Sequence, residues 1–303
     1  MKKQEEKFSR EEINELLNKN GIKITVDELI NIDKDIIWWK NLNYNWKLVM
    51  LYNHNYEYRY FDRGRIKDYN IILERIEKYE ISELKNFIEE LKSMTIIFLN
   101  FDQNIIIKDF KPLGKLKKLE KLFLNGLRFC SLNSMPILKR LKFLDAKGSD
   151  LDSISSISKF SKIQHLNISQ TNIVSLKGIE ECTKLDFLNV SNTDITSINE
   201  IKNLKLLNYL SIFQTRIKSL EPLKTLTNLK TLFAYSTEIQ NLESITDLKS
   251  LEKINISNTQ IKNLLPLKNN INLMDISAKG TRVTLDNVEK LKEFLPQTTV
   301  ALN

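Results

Sequence analysis

This chain is built on a period of 22 residues. Leu or Ile recurs at Leu119, Leu141, Ile163, Leu185, Leu207, Leu229, Leu251 and Leu273, each step 22 residues long. Three residues after each come Leu122, Leu144, Leu166, Leu188, Leu210, Leu232, Ile254 and Ile276, and two further on Leu124, Ala146, Ile168, Val190, Ile212, Ala234, Ile256 and Ala278. Eight units without a slip form an internal repeat, in which each unit buries its apolar side only against its neighbours.

Within a unit, the alternation of apolar and polar residues predicts a short strand with its apolar side chains turned inward. Successive strands then stack into a parallel sheet. The later apolar positions, such as Leu220, Leu223 and Leu226, close the core from the other wall. The ninth position is Leu127, then Ser149, then Thr from Thr171 to Thr281. Pro112, Pro222 and Pro266 share one phase and extend the register back to a degenerate first repeat at about 97–118, with a one-residue shift at Leu99-Asn-Phe101.

The pattern LxxLxLxxTxI, as in Ile163-Gln-His-Leu-Asn-Ile-Ser-Gln-Thr-Asn-Ile173, resembles a leucine-rich repeat. The 22-residue unit is similar to the internalin-like and phosphatase-regulator-like subclass of bacterial type, and the likeness covers residues 96–303. It implies an α/β solenoid: a leucine-rich-repeat horseshoe of about nine repeats, with a parallel concave β-sheet that binds a protein or peptide partner. That family usually has Asn at the ninth position, where this chain has Thr, so the resemblance implies that a ladder of hydroxyls between neighbouring turns stands in for the usual amide ladder.

The first 95 residues differ in composition. They hold all three Trp, seven of the nine Tyr, and 17 basic against 18 acidic residues, whereas the remainder holds 29 basic against 20 acidic. The spacing predicts a mostly helical capping domain over 1–95 that seals the first coil. Ser9 and Glu12 form a capping box before a helix ended by Gly21, Ile36–Leu51 forms a central helix, and Ser82 caps a helix presenting Leu84, Phe87, Ile88 and Leu91. Tyr56, Tyr58 and Tyr60 alternate as in a strand, in a hairpin through Asp62-Arg-Gly64. The stretch Trp38–Lys47 is similar to a segment that precedes the repeats in some bacterial repeat proteins. Residues 282–303 predict a C-terminal cap, with a helix over 284–294, a stop at Pro296 and a closing strand at Thr298–Leu302.

Little here supports catalysis. No Walker-type loop, GxGxxG, HExxH or CxxC motif occurs, and two His with two Cys offer neither a metal site nor a disulfide framework. His54 falls in a Tyr- and Asn-rich turn, His165 on a strand and Cys182 on a core phase. Cys130 reads as an ordinary small turn residue, and Glu180-Glu181 and Glu89-Glu90 as solvated faces. The expected protein is non-enzymatic, needs no cofactor or metal, lacks a secretory signal or membrane span, and is cytoplasmic.

The informative residues are those turned away from the core, at the third, fifth and seventh positions. Phe143, Phe187, Tyr209, Phe213, Phe233 and Tyr235 are expected to form one aromatic band, with His165 among them and Lys121, Lys147, Lys253 and Lys279 near its ends. Aromatic anchors inside a polar rim have the composition of protein–protein hot spots. An immunity or inhibitor role, in which the face plugs a toxin or enzyme, uses the same surface. Nucleic acid is the weaker reading: the basic cluster Lys108–Lys121 is interleaved with acids and accompanied by few Arg.

Overall fold

The computed structural model describes residues 34–58, 69–99, 107, 109–129 and 131–302. Among the described residues, four helices precede the sheet: α1 (Lys34–Asn41), α2 (Tyr44–Tyr58), α3 (Tyr69–Ile76) and α4 (Ile81–Ser93). The expected central helix over Ile36–Leu51 is thus two. Asn43 divides it, because its Oδ1 accepts from the Trp46 N–H at 3.0 Å and so starts a new helix. Ser82 lies inside α4 rather than capping it; the Glu83 carboxylate accepts from the Glu80 N–H at 3.0 Å. The face carrying Leu84, Phe87, Ile88 and Leu91 is buried as expected.

Tyr56 and Tyr58 stand on helix α2, which overturns the strand assigned to them. Tyr60, Asp62–Gly64 and the Ser9–Gly21 helix lie outside the described residues. His54 also belongs to α2 instead of a turn, with its Nε2 2.8 Å from a Glu90 carboxylate oxygen. Trp39 and Trp46 are buried, Trp39 edge-on to Phe87 at 5.2 Å between ring centres.

Among the described residues, ten strands form one parallel sheet in chain order: β1 (Ile96–Phe98), β2 (Lys121–Phe123), β3 (Phe143–Asp145), β4 (His165–Asn167), β5 (Phe187–Asn189), β6 (Tyr209–Ser211), β7 (Thr231–Phe233), β8 (Lys253–Asn255), β9 (Asp275–Ser277) and β10 (Thr299–Ala301). From β2 to β9 every pair is in 22-residue register. The first, fourth and sixth positions of all eight units are buried. Short 3-10 turns such as Glu221–Leu223 form the wall behind the sheet. The solenoid is built as the period requires.

Two details differ from the sequence reading. First, Ile97 pairs with Leu122, so the first coil is 25 residues long and its strand starts three residues earlier than a strict repeat would place it. Pro112 still stands nine residues before β2, as Pro222 stands before β7 and Pro266 before β9. The proline phase reports the distance to the following strand, and the extra residues fall before it. Second, the ninth-position hydroxyls do not bridge coils. Thr215 Oγ1 donates to the Ile212 carbonyl at 2.7 Å, and Ser149, Thr171, Thr193, Thr237, Thr259 and Thr281 do the same three residues back. Elsewhere a hydroxyl does bridge coils, as Thr225 Oγ1 donates to Lys202 O at 2.8 Å, but each of these hydroxyl protons is spent on a carbonyl of its own turn. The coils are joined there by backbone, for example Gln170 N–H to Ser191 O at 2.9 Å and Asn172 N–H to Leu151 O at 2.9 Å.

This ladder demands left-handed backbone at the eighth position of every coil. Gly126, Gly148 and Gly280 satisfy it without cost, but Gln170, Asn192, Gln214, Ser236 and Asn258 sit at φ of 52–58°. The C-terminus follows expectation: α5 (Leu285–Lys292) is capped by Thr284, and β10 closes on β9 beyond Pro296.

Candidate binding face

The third and fifth residues of each coil are the outward strand positions, so consecutive coils place them side by side at the inter-strand spacing. The third position is Phe143, His165, Phe187 and Tyr209 on β3 to β6. Their rings stack nearly parallel: 4.0 Å and 12° for Phe143–His165, 3.8 Å and 10° for His165–Phe187, 4.2 Å and 8° for Phe187–Tyr209. Tyr209 then meets Phe233 of β7 edge-on at 5.7 Å. At the other end Phe143 touches Phe123 at 4.9 Å, which stacks on Phe98 at 4.4 Å. Seven rings on seven consecutive strands make one ladder, each ring half-buried where its side chain is described.

Sequence reasoning missed the first two rungs. Phe123 was visible at the fifth position but not linked to Phe143 at the third, since that contact is diagonal. Phe98 was hidden by the longer first coil. The expected single band also separates: Phe213 and Tyr235 stack on each other at 4.3 Å, and among the described residues no ring contact joins this pair to the ladder.

The seventh position does not face outward throughout. The strand ends at the fifth residue, and Ser169, Ser191 and Ser257 are buried in the turn that follows. Asn167 Oδ1 accepts from both the N–H and the hydroxyl of Ser169, at 3.2 and 2.8 Å, and Asn189 repeats this for Ser191. Phe213 and Tyr235 are too large for that niche and stay half-exposed. Lys121, Lys147, Lys253 and Lys279 are exposed towards the two ends of the sheet, and Lys253 is paired with Asp275 at 2.9 Å.

Sandwiching between two phenyl rings strips water from the His165 imidazole and holds its pKa down at about 4, against a weaker opposing pull from the Asp145 carboxylate. The ring is neutral at physiological pH and behaves as one more aromatic rung. Burial likewise raises the Tyr209 and Tyr235 phenols above their ordinary value.

Other candidate chemistry is sparse. Burial pushes the Cys182 thiol up to about 12, the opposite of an activated nucleophile. Cys130 and Lys108 lie outside the described residues. Among the described residues no three metal-capable side chains cluster, and no helix is long and apolar enough to cross a membrane. Of the basic cluster, Lys115 is engaged by Asp35 at 2.7 Å. A cleft of about 480 Å³ opens behind the sheet between the 3-10 turns of Asn199–Ile201 and Glu221–Leu223, lined by Lys202, Lys224, Asn203 and Thr225.

Residues 148–259 match the family model described as the LRR domain of the endo-beta-N-acetylglucosaminidase EndoS. Comparison with curated proteins gives no match. Among solved structures, the chain is similar to an internalin (InlF) of Listeria monocytogenes, with a TM-score of 0.64 and 23% identity over 73% of this chain and 63% of that one. It is also similar to internalin C2 of the same organism (TM-score 0.58, 24% identity, 62% of this chain and 82% of that one). A leucine-rich-repeat protein of Leptospira interrogans gives a TM-score of 0.60 at 22% identity, over 71% of this chain and 62% of that one. The chain therefore spans less than two thirds of the InlF and Leptospira chains. At these identities the likeness establishes the fold, a leucine-rich-repeat solenoid.

Proposed function

We propose that this leucine-rich-repeat solenoid is a non-catalytic binding module that takes a protein or peptide partner across the outer face of its sheet. The observation that carries the reading is the ladder of half-exposed rings from Phe98 to Phe233, continuous over seven strands. Cross-strand stacking stabilises the sheet, but a face that only meets water does not require so much aromatic surface. Contiguous apolar area within a polar rim is what association buries. Phe143, His165, Phe187, Tyr209 and Phe233 form the centre, the Phe213–Tyr235 pair a second anchor, and Lys121, Lys147, Lys253 and Lys279 the flanks. The internalin-like fold of the similar structures agrees with such a role. A buried, unpaired Cys182 suits a reducing, cytoplasmic setting.

The experiment is a paired pull-down with the wild-type chain and the Phe187→Ala/Phe213→Ala/Tyr235→Ala variant. A protein retained by the first and lost by the second supports the reading. Equal retention by both, with the variant folded, refutes it.

A further inference from the structure

We infer that the segment occupying this face is aliphatic in its middle and acidic at both ends; the inference rests on the binding reading above. His165 is covered by Phe143 on one face and Phe187 on the other, and Phe187 by His165 and Tyr209, with centroid separations of 3.8–4.2 Å. The faces of these rings are therefore consumed within the ladder, and what meets solvent is their rims. An aromatic face is the negative end of the ring quadrupole and the rim its positive end. Cations and nucleobases bind aromatics through the faces. A row of rims instead favours aliphatic groups and oxygen acceptors. The ladder therefore selects against the ligands that isolated surface aromatics usually attract.

The charges on the same face agree. Its cations are Lys121, Lys147, Lys253 and Lys279, and its anions Asp145 and Asp275. Asp275 is matched with Lys253 at 2.9 Å, and Asp145 turns one carboxylate oxygen to the Lys147 N–H at 3.1 Å. The backbone bond leaves the Asp145 charge in place, so Lys121 and Lys147 carry a net surplus of one positive charge towards one end, and Lys279 supplies one at the other. Between them, β4 to β7 contribute only neutral side chains at the third and fifth positions, His165 included. From the turn after β3 to the turn after β9 is six strand spacings, roughly 29 Å, which an extended peptide of about nine residues covers. Carboxylates at its two termini reach the two groups of lysines.

The test uses the full chain and three fluorescent peptides of about nine residues. All share a Leu/Val/Ile centre and carry paired Glu, paired Gln or paired Lys at both ends. Fluorescence anisotropy is expected to order them Glu, Gln, Lys, with about tenfold in Kd between first and last, since a few half-exposed ion pairs contribute that much together. The Lys121→Gln/Lys147→Gln/Lys279→Gln variant is expected to erase the order, and Phe187→Ala to weaken all three peptides. Phe187→Leu, which keeps volume but removes the ring, serves if the alanine variant misfolds. Equal affinities, or preference for the Lys-ended peptide, overturn the inference; if binding still falls in Phe187→Leu, the sheet remains the binding face. Absence of binding by every peptide, or tighter binding of oligothymidylate, also overturns it. Failure of the binding reading itself shows separately, as a natural partner retained by the triple alanine variant.

Discussion

Asn53 and Phe98 are joined through both ends of one amide. Asn53 Oδ1 accepts from the Phe98 N–H at 2.7 Å, and its Nδ2 donates to the Phe98 carbonyl at 2.9 Å and to Val49 O at 2.8 Å. The side chain is buried and belongs to α2, so a helix supplies the hydrogen bonds that a further strand would otherwise make at the β1 edge. Trp46 adds a second tie, with its indole N–H donating to Asp109 O at 3.0 Å, and Asp35 a third by pairing with both Lys92 and Lys115.

Asn53→Ala leaves the part-buried N–H and C=O of Phe98 without those partners, at a cost of about 2 kcal/mol. Urea unfolding followed by hydrogen exchange is expected to show that loss, with faster exchange concentrated at Phe98 and in β1. Exchange unchanged at Phe98 counts against a sealing role for α2.

His165 makes stability pH-dependent in a defined window. The folded imidazole resists protonation down to about pH 4, whereas the unfolded chain takes up that proton near 6.5. Stability is complete above pH 6.5 and is lost as pH falls towards 4, by about 1–2 kcal/mol after allowing for the ring's solvent-facing rim. His165→Phe keeps the ladder and removes this titration, so its melting temperature should fall less across that interval. Asp35 acts in a lower range: lysine hydrogen bonds depress its pKa, so its contribution is lost only as pH drops below the ordinary value of 3.8.

The eighth position offers a stabilising change. Gln214 and Gln170 hold φ of 52° and 57° with a Cβ present, and glycine adopts that backbone freely. Gln214→Gly and Gln170→Gly should each raise stability by about 0.5 kcal/mol, because relief of strain exceeds the added entropy of the unfolded chain. Asn192→Gly should be neutral, since Asn tolerates the left-handed region. Urea midpoints for the three variants check this ordering.

Gly178 gives the opposite case. At φ 100°, a Cβ there would lie 2.6 Å from the Ser155 carbonyl oxygen, which is backbone and cannot yield. Gly178→Ala is expected to destabilise by more than about 2 kcal/mol, measured by urea unfolding.

The period made the sheet legible because burial of Leu119, Leu122 and Leu124 and their equivalents is dictated coil by coil, and a slip would turn apolar residues to water. The same logic located Phe143, Phe187 and Tyr209 on the outward face. It could not locate Phe98, since nothing in the apolar period records three added residues in the first coil. Nor could it divide the ladder from the Phe213–Tyr235 pair, because the strand is only three residues long and the chain turns before the seventh position. The direction of the threonine hydroxyls and the break at Asn43 depend on local hydrogen bonds that compete with the longer pattern.

The outward rings, from Phe98 to Phe233 with the Phe213–Tyr235 pair, are the proposed binding surface. Its most direct test is isothermal titration of the captured partner against three chains: wild type, the Phe187/Phe213/Tyr235 triple alanine variant, and a control altered at Lys202 and Lys224 behind the sheet. The expected result is a loss of about a hundredfold or more in the triple variant, consistent with removal of anchor residues, and none in the control. Affinity retained by a folded triple variant, or lost in the control alone, would contradict it.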